Sequence, residues 1–364
     1  MKNKLKILYI SPTLDQGGAE RFMTDLVVNL DRAEFSHYLL LFKRGGIWVS
    51  ELEAKNIPVK ILTKRWLFDV INFWQIYKFI RDLDPDIVHT QLGGDIYGRL
   101  AARLVGVKTI ISTEQNVNPD ETWLINLLKR WTSKYSQITV AITEAVRQDA
   151  IKRYGLDVDK TVVIPNGLDI KKFAQPSNNN FRTEAGLTFG TIGRLSEQKG
   201  HSYLVEAMSL AQVSAKCLIA GTGDLKNKLD SQITALNLNN KIKLVGPISD
   251  VPAFLSNLDA FIFPSVWEGQ GIVLMEAGLS RLPIIASAVD GIKEVLDEST
   301  AWLVPAKDAQ KLADTITWLN NNIDSPVVKE KVDKLFVRIV ERYSIEKVVD
   351  KYQTLYKNTA INKL

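Results

Sequence analysis

The stretch SVWEGQGIVLMEAGLSRLP, residues 265–283, sets Glu268 and Glu276 around a glycine pair and an apolar run, with seven residues between the carboxylates. Two acids flanking one bond are the working parts of a glycoside hydrolase. The local pattern points elsewhere. DAFIFPS reads as the end of a strand, VWEGQG as a loop and IVLMEAGLS as the start of a helix. Glu268 then sits in the loop and Glu276 about a turn into the helix, so the two are not expected to share a proton. Gly269 and Gly271 let the backbone approach a bound anion, with the free N–H groups of the helix behind them. Acidic groups at such a turn repel the anion unless they are aimed at hydroxyls, which a ribose at one end and a hexose at the other would supply. The plain alternative for Glu276 is an N-terminal helix carboxylate favoured by the dipole.

A second set lies in GTIGRLSEQKGHSYLVEAM, residues 190–208, where a strand ends at Gly193, Arg194 and Lys199 follow, and a helix begins near Gly200. A guanidinium grips oxygens bidentately, a lysine adds a point charge, and a helix start offers N–H groups, which together suit a diphosphate. If this stretch stood alone, the reading as a pair of surface cations would win. SPTLDQGGAER (11–21) repeats the anion-loop logic, with Gly17 and Gly18 placed to face the diphosphate from the other side; a plain glycine-rich turn is the alternative. Neither GTGD (221–224) nor GQG (269–271) has the third glycine of a dinucleotide fingerprint, which demotes an NAD enzyme. Asp-x-Asp strings at 82–84, 84–86 and 157–159 can hold a divalent metal. DLDPDIVH, however, reads as a helix end leading into a buried strand, and no metal is expected. Of His37, His89 and His201, only His89, at the end of DIVH, is placed like a site residue.

These residues need parallel strands to present them. LKILYIS (5–11), YLLLF (38–42), PVKIL (58–62), DIVHTQ (86–91), TIISTE (109–114), QITVAIT (137–143) and TVVIPN (161–166) read as strands with helical stretches between. Such alternation gives βαβ units with ligands at the carboxyl ends of the strands. AQPSNNNFRTEAG (174–186) is polar and lacks apolar periodicity, so it reads as a linker. The rhythm restarts with LTFGTIG (187–193), AKCLIAG (215–221), KIKLVG (241–246), LDAFIFPS (258–265), LPIIAS (282–287) and TAWLVP (300–305). The expected plan is an α/β chain of two domains, 1–173 and 187–343, joined by 174–186. A C-terminal helix, 344–364, follows once the second sheet is complete and is expected to cross back and pack toward the N-terminal domain.

Composition fits this plan. At 364 residues, two domains are expected; 46% hydrophobic and 24% charged residues are ordinary for a globular protein. No run approaches the ~18 apolar residues of a membrane span, and MKNKLKILYISPTLDQGG reads as a first buried strand rather than a leader. The one cysteine, Cys217, lies in an apolar run and reads as a core thiol of a cytoplasmic protein. A net charge of +5 points to anionic partners. Two segments interleave cations with large aromatics: KRWLFDVINFWQIYKFIRDL (64–83) and WLINLLKRWTSKYSQ (123–137). Each alone reads as an amphipathic helix packed on its own domain. Two in one half also fit an anionic membrane surface, and base stacking on nucleic acid is not expected.

Together, the motifs resemble those of a retaining family-4 glycosyltransferase of GT-B architecture, two Rossmann-like domains facing a central cleft. GGAER is similar to the family's N-terminal glycine loop and PDIVHT to its strand with a site histidine. VIPNGLDIKKF matches the segment ahead of the linker, GRLSEQKG the diphosphate-holding loop, and VGPISDVPAFLSNLDAFIFPSVWEGQGIVLMEAG the base-binding loop with the Glu-x7-Glu motif. The resemblance implies that Arg194 and Lys199 neutralise the leaving diphosphate, beside Gly193, and that Glu276 holds the ribose. It implies that Glu268 bonds the transferred sugar, that the N–H groups of Gly271, Ile272 and Val273 cradle the distal phosphate, and that the loop containing Ile248 flanks the base. The resemblance implies no metal or other cofactor, and it implies that the donor phosphate takes the acceptor proton on the same face, so that no protein base is required. One departure stands out: in ISTEQN (111–116), Gln115 occupies the place of a common histidine. Gln115 and Asn166 are further candidates, and His89 is expected to compensate in part.

The expectation is a cytoplasmic, membrane-associated hexosyltransferase using a UDP- or GDP-sugar. Its acceptor would be lipid-linked or a growing polysaccharide, in lipopolysaccharide, capsule or exopolysaccharide synthesis. A non-catalytic sugar-nucleotide-binding subunit and an NAD-dependent oxidoreductase are the rivals, with a GT-B phosphorylase or epimerase nearer in fold.

Overall fold

The first seven expected strands form one sheet, parallel throughout. In the computed structural model, residues 4–63, 69–117, 119–173 and 186–361 are described. The strands are β1 (Leu5–Ser11), β2 (Phe35–Leu41), β3 (Val59–Ile61), β4 (Ile87–Gln91), β5 (Thr109–Glu114), β6 (Ile138–Ala141) and β7 (Thr161–Val163), in the order β3-β2-β1-β4-β5-β6-β7. Between them run α1 (Gly18–Asn29), α2 (Val49–Ala54), α3 (Val70–Leu83), α4 (Gly94–Val105), α5 (Trp123–Ser133) and α6 (Glu144–Tyr154). Local chemistry sets the helix ends. Asp69 caps α3 by accepting from the Asn72 N–H at 2.9 Å, and Thr143 caps α6 by accepting from Val146 N–H at 3.2 Å.

Helices cover both faces, which is why the central strands read as nearly continuous apolar runs. Leu8, Ile10, Leu40, Val88 and Ile110 turn to one face and pack with Ile76, Ile80, Ala101 and Ala102 of α3 and α4. Tyr9 pairs in register with His89, and both belong to the opposite face.

The second unit repeats the plan with β8 (Thr188–Ile192), β9 (Lys216–Ala220), β10 (Ile242–Gly246), β11 (Ala260–Phe263), β12 (Ile284–Ser287) and β13 (Trp302–Val304), ordered β10-β9-β8-β11-β12-β13. Its helices are α7 (His201–Leu210), α8 (Lys226–Ala235), α9 (Val251–Leu255), α10 (Ile272–Leu279), α11 (Asp290–Lys293), α12 (Ala309–Asn321) and α13 (Pro326–Tyr343). Phe189, Ile219, Ile262 and Ile285 fill one face beneath α7, α8 and α12; Phe261, Phe263 and Ile284 fill the other beneath α10 and α13. Cys217 is buried in the first of these cores, and burial pushes its thiol up to about 12.

The units comprise residues 1–167 with 345–364, and residues 168–344. Leu168–Phe173, expected in the first domain, instead join the second: Leu168 is buried there, with Ile170 and Phe173 packed against the same core. The expected linker lies outside the described residues apart from Gly186. The last helix, α14 (Ile345–Ile361), belongs to the first unit, where Val348, Val349, Tyr352 and Tyr356 are buried. No helix among the described residues is long and apolar enough to cross a membrane.

Candidate functional site

In both sheets the strand order reverses next to the first strand, between β1 and β4 and between β8 and β11. A crevice at the carboxyl ends of the strands forms at such a switch point, and ligands bind there in doubly wound folds. Arg194 follows β8 and Glu268 follows β11, so the second unit sets the two candidates on adjacent strands. Hydrogen bonds tie their loops together: Val266 N–H donates to the Gln198 carbonyl at 2.7 Å, and the Gln198 side-chain Nε2 to the Trp267 carbonyl at 3.3 Å. The loop after β8 is also fixed to the one after β9, with Leu195 N–H donating to the Thr222 carbonyl at 2.8 Å. That approach leaves no room for a side chain at Gly221, which would collide with the Gly193 carbonyl.

The two cations differ in their engagement. Arg194 is exposed, and its guanidinium makes no hydrogen bond or ion pair among the described residues. Lys199 is ion-paired to Glu268 through Nζ and Oε2, and its ammonium lies 5.0 Å from the centroid of the Phe263 ring. Glu268 is buried and its Oε2 also lies 3.4 Å from Ser265 Oγ. Sequence reasoning placed Lys199 and Glu268 on one ligand without recognising that they touch each other, and it passed over Ser265 and Gln198. Their signal was position: both stand in loops at the carboxyl ends of switch-point strands.

Gly271 opens α10 with φ of +74°, a left-handed conformation that favours glycine, so the N–H groups of Ile272 and Val273 stand at a helix start. Glu276 is half-buried on the same helix, whereas Glu268 and Gly269 precede it in the loop. Ile248, half-buried, lies in the loop after β10. The second unit thus gathers Gly193, Arg194, Lys199, Glu268, Gly269 and Gly271 along one edge of its sheet. A point charge, a bidentate donor, backbone N–H groups and two carboxylates are the components for a sugar joined to a diphosphate.

The first unit holds the remaining candidates. Gly17 and Gly18 form the turn from β1 into α1, with Gly17 at the N-cap. Gln115 follows β5 and accepts from Asn166 Nδ2 at 3.0 Å, while its own Nε2 lies 3.4 Å from Gln91 Oε1. The three amides form one chain across the carboxyl ends of β4 and β5 and the segment after β7. Gln91, buried at the end of DIVHTQ, was missed.

His89 does not join them. It is buried in the middle of the sheet's opposite face, with Nδ1 2.7 Å from Tyr356 Oη and Nε2 2.7 Å from Thr113 Oγ1. Burial lowers its pKa to about 3, so it is neutral at pH 7. With both ring nitrogens taken by the protein, neither is left to bond a donor in this arrangement. The expected compensation for the missing histidine is therefore corrected: His89 anchors α14.

Beside the amide chain lies a cavity of about 520 Å³ between α3, α4 and α5, walled by Val70, Phe73, Ile96, Leu100, Leu128 and Trp131 and reaching Gln115 and Asn116. A largely buried charge cluster adjoins it, and Glu114, Glu121 and Lys129 of that cluster also line the cavity. Arg99 bonds Ser112 Oγ at 2.7 Å and Glu114 Oε1 at 3.3 Å, and Lys129 Nζ bonds Glu121 Oε1 at 2.7 Å. Burial raises Asp95 to about 7 against the pull of Arg99. Burial lowers Lys129, but the carboxylates of Glu114, Asp95 and Glu121 overcome this and hold it above the ordinary lysine range.

Comparison with known proteins identifies the fold and the family. The chain is 29% identical over 99% of its length, and 99% of the relative's, to an Escherichia coli protein named UDP-Gal:alpha-D-GlcNAc-diphosphoundecaprenol alpha-1,3-galactosyltransferase. It is 23% identical over 73% of its length, and 76% of the relative's, to the Campylobacter jejuni N-acetylgalactosamine-N,N'-diacetylbacillosaminyl-diphospho-undecaprenol 4-alpha-N-acetylgalactosaminyltransferase. Among solved structures, Anabaena HepE in complex with UDP and glucose superposes with a TM-score of 0.88 at 20% identity, covering 97% of this chain and 100% of that one. A glycosyltransferase from Rickettsia africae gives 0.83 at 23% identity, over 98% and 99%. The profile of Glycosyltransferase Family 4 matches residues 16–172, and that of Glycosyl transferases group 1 matches residues 174–356. With two parallel-sheet Rossmann-like domains and half its length under the second profile, the chain belongs to the glycosyl transferases group 1.

Proposed function

We propose that this glycosyltransferase moves a hexosyl group, with retention, from a UDP-sugar to a lipid-linked acceptor at the cytoplasmic face of a membrane. The observation that carries the donor reading is the disposition of Arg194, Lys199 and Glu268 beside the start of α10. Arg194 grips the diphosphate bidentately, and the arriving anion draws Lys199 away from Glu268. That exchange frees Glu268 to accept a hydrogen bond from a hydroxyl of the transferred sugar. As the bond from the anomeric carbon to the diphosphate oxygen breaks, Arg194, Lys199 and the α10 N–H groups take up the growing charge. The acceptor oxygen bonds the same face of the anomeric carbon, and its proton passes to the departing phosphate. Glu276 holds the ribose. The reading includes no metal. The uridine choice is supported by the UDP complex of the structural relative and the UDP-Gal donor in the name of the E. coli relative.

A thermal-shift panel of UDP-galactose, UDP-glucose, GDP-mannose and NAD tests the donor. The correct UDP-sugar should stabilise the protein by about 2.7 kcal/mol at a hundred times its Kd. Glu276→Gln should lose most of that gain while keeping its unliganded melting temperature. Stabilisation by NAD alone would overturn the reading. If Glu276→Gln bound donor normally and lost only the chemical step, the acid/base assignment would return.

Membrane contact is the second part of the reading. Trp74 on α3 and Trp123 and Trp131 on α5 are exposed, at 55%, 75% and 45%. Trp66, in the same basic-aromatic segment as Trp74, lies outside the described residues. The double variant Trp74→Ala/Trp131→Ala should co-sediment several-fold less with phosphatidylglycerol vesicles than wild type. Equal co-sedimentation would favour an acceptor in solution.

A further inference from the structure

We infer that the cavity between α3, α4 and α5 receives the polyprenyl chain of a membrane-anchored phosphorylated acceptor. This rests on the transferase reading above and adds to it where the lipid goes. Four observations converge.

The cavity, at about 520 Å³, lies in the range of small-molecule pockets, and its wall is mainly aliphatic and aromatic. Its opening is continuous with apolar residues turned to solvent on the two flanking helices. Val70 and Ile71 on α3 are exposed, as are Trp123, Leu127 and Trp131 on α5, and Val70 and Trp131 also belong to the wall. A contiguous apolar surface of this kind on a globular unit marks an interaction site.

The polar lining comprises the amides Gln115 and Asn116, just past the carboxyl end of β5, together with Asp69, Glu114, Glu121 and Lys129; Lys129 is ion-paired to both glutamates. Gln115 belongs to the amide chain through Gln91 and Asn166. A chain lying along the wall thus delivers its phosphorylated end to the edge of the sheet where ligands gather. A soluble apolar compound would have no use for that polar mouth.

Charge selects the source. Lys134 Nζ sits 5.6 Å from the centroid of the Trp131 ring and 5.5 Å from that of Tyr135, and the Arg103 guanidinium is 6.0 Å from Tyr135. Both cations are exposed. Trp131, a wall residue of the cavity, thus has an exposed cation beside it, and such a pairing complements the anionic headgroups of a bilayer, from which a long chain enters. The pairing of an apolar wall with cations beside Trp131 and Tyr135 fits a phosphorylated lipid better than a neutral oligosaccharide.

Calorimetric titration of the full chain with geranylgeranyl phosphate, below its aggregation concentration, tests the inference. Wild type should bind one equivalent, and geranyl phosphate should bind at least tenfold more weakly because it reaches less of the wall. Ile96→Trp, which fills the cavity, should weaken geranylgeranyl phosphate at least tenfold while keeping the melting-temperature gain with UDP-sugar. Leu100→Phe is a smaller filling that keeps the test open if Ile96→Trp does not fold. No saturable binding by wild type, or full binding by both folded variants, would overturn the inference. Association with phosphatidylglycerol vesicles without binding of the monomeric prenyl phosphate would also overturn it, leaving a membrane-surface contact alone. Loss of the UDP-sugar response in wild type bears on the donor reading instead, so the two failures are separable.

Discussion

Arg194→Ala should lower kcat by about 10²–10³-fold while shifting the melting temperature by no more than about 2 °C. The two halves of this expectation come from one observation. The guanidinium is exposed and makes no hydrogen bond or ion pair among the described residues, so its removal leaves no protein group unsatisfied. Arg194→Lys should recover only part of the rate, because an ammonium offers a point charge where the guanidinium offers a planar fork. Lys199→Ala should behave differently. It strands the buried Glu268 carboxylate without its cation, which costs about 1–3 kcal/mol of stability in addition to the rate. Adding Glu268→Gln should return much of the stability without restoring turnover. The measurement is steady-state kinetics on each variant alongside a denaturant melt. Arg194→Ala turning over within a few-fold of wild type would remove it from the site.

Tyr356→Ala should destabilise the first unit by about 3–5 kcal/mol. The ring is fully buried and lies edge-on to Phe35 and His89, with centroids at 6.1 and 5.8 Å. Its hydroxyl is 2.7 Å from His89 Nδ1, so truncation also leaves an unpaired polar atom in the core. Tyr356→Phe, which keeps the ring, should cost about 1–3 kcal/mol. Chemical denaturation followed by fluorescence can follow the two units separately: Trp302 and Trp318 report the second, Trp48 and Trp74 the first. Single-tryptophan versions should show the first midpoint moving and the second unchanged. A melt of the first unit equal to wild type would mean that α14 does not contribute to its stability.

What the sequence revealed follows the range over which each signal acts. Strands and their parallel arrangement were legible because the apolar runs and the glycines that end them are local. Arg194, Lys199 and the Glu268–Glu276 pair were legible because each stands a few residues past a recognisable strand. The ion pair of Lys199 with Glu268 was not, since it joins residues from separate βαβ units through loops of irregular shape. His89 was misread for a related reason. Its place on a strand was visible, but the partner that takes its Nδ1 lies 267 residues further on, and nothing local distinguishes a covered strand face from an open one. The cavity was hidden by ambiguity of another kind. Helices with apolar and cationic faces look the same whether those faces meet a core or leave a gap, and only the packing of α3, α4 and α5 separates the cases.

The return of α14 to the first unit fixes an order of events at the ribosome. The second unit is one uninterrupted stretch, whereas the first is built from residues 1–167 and from 345 onward. At ~5–20 residues per second, the nascent chain waits on the order of ten to thirty seconds between emergence of the two parts. During that interval the sheet face carrying Tyr9, His37 and His89 has no Tyr352 or Tyr356 to cover it. The half that begins first is therefore completed last, and a nascent chain stalled before Ile345 would present a finished second unit beside an uncapped sheet.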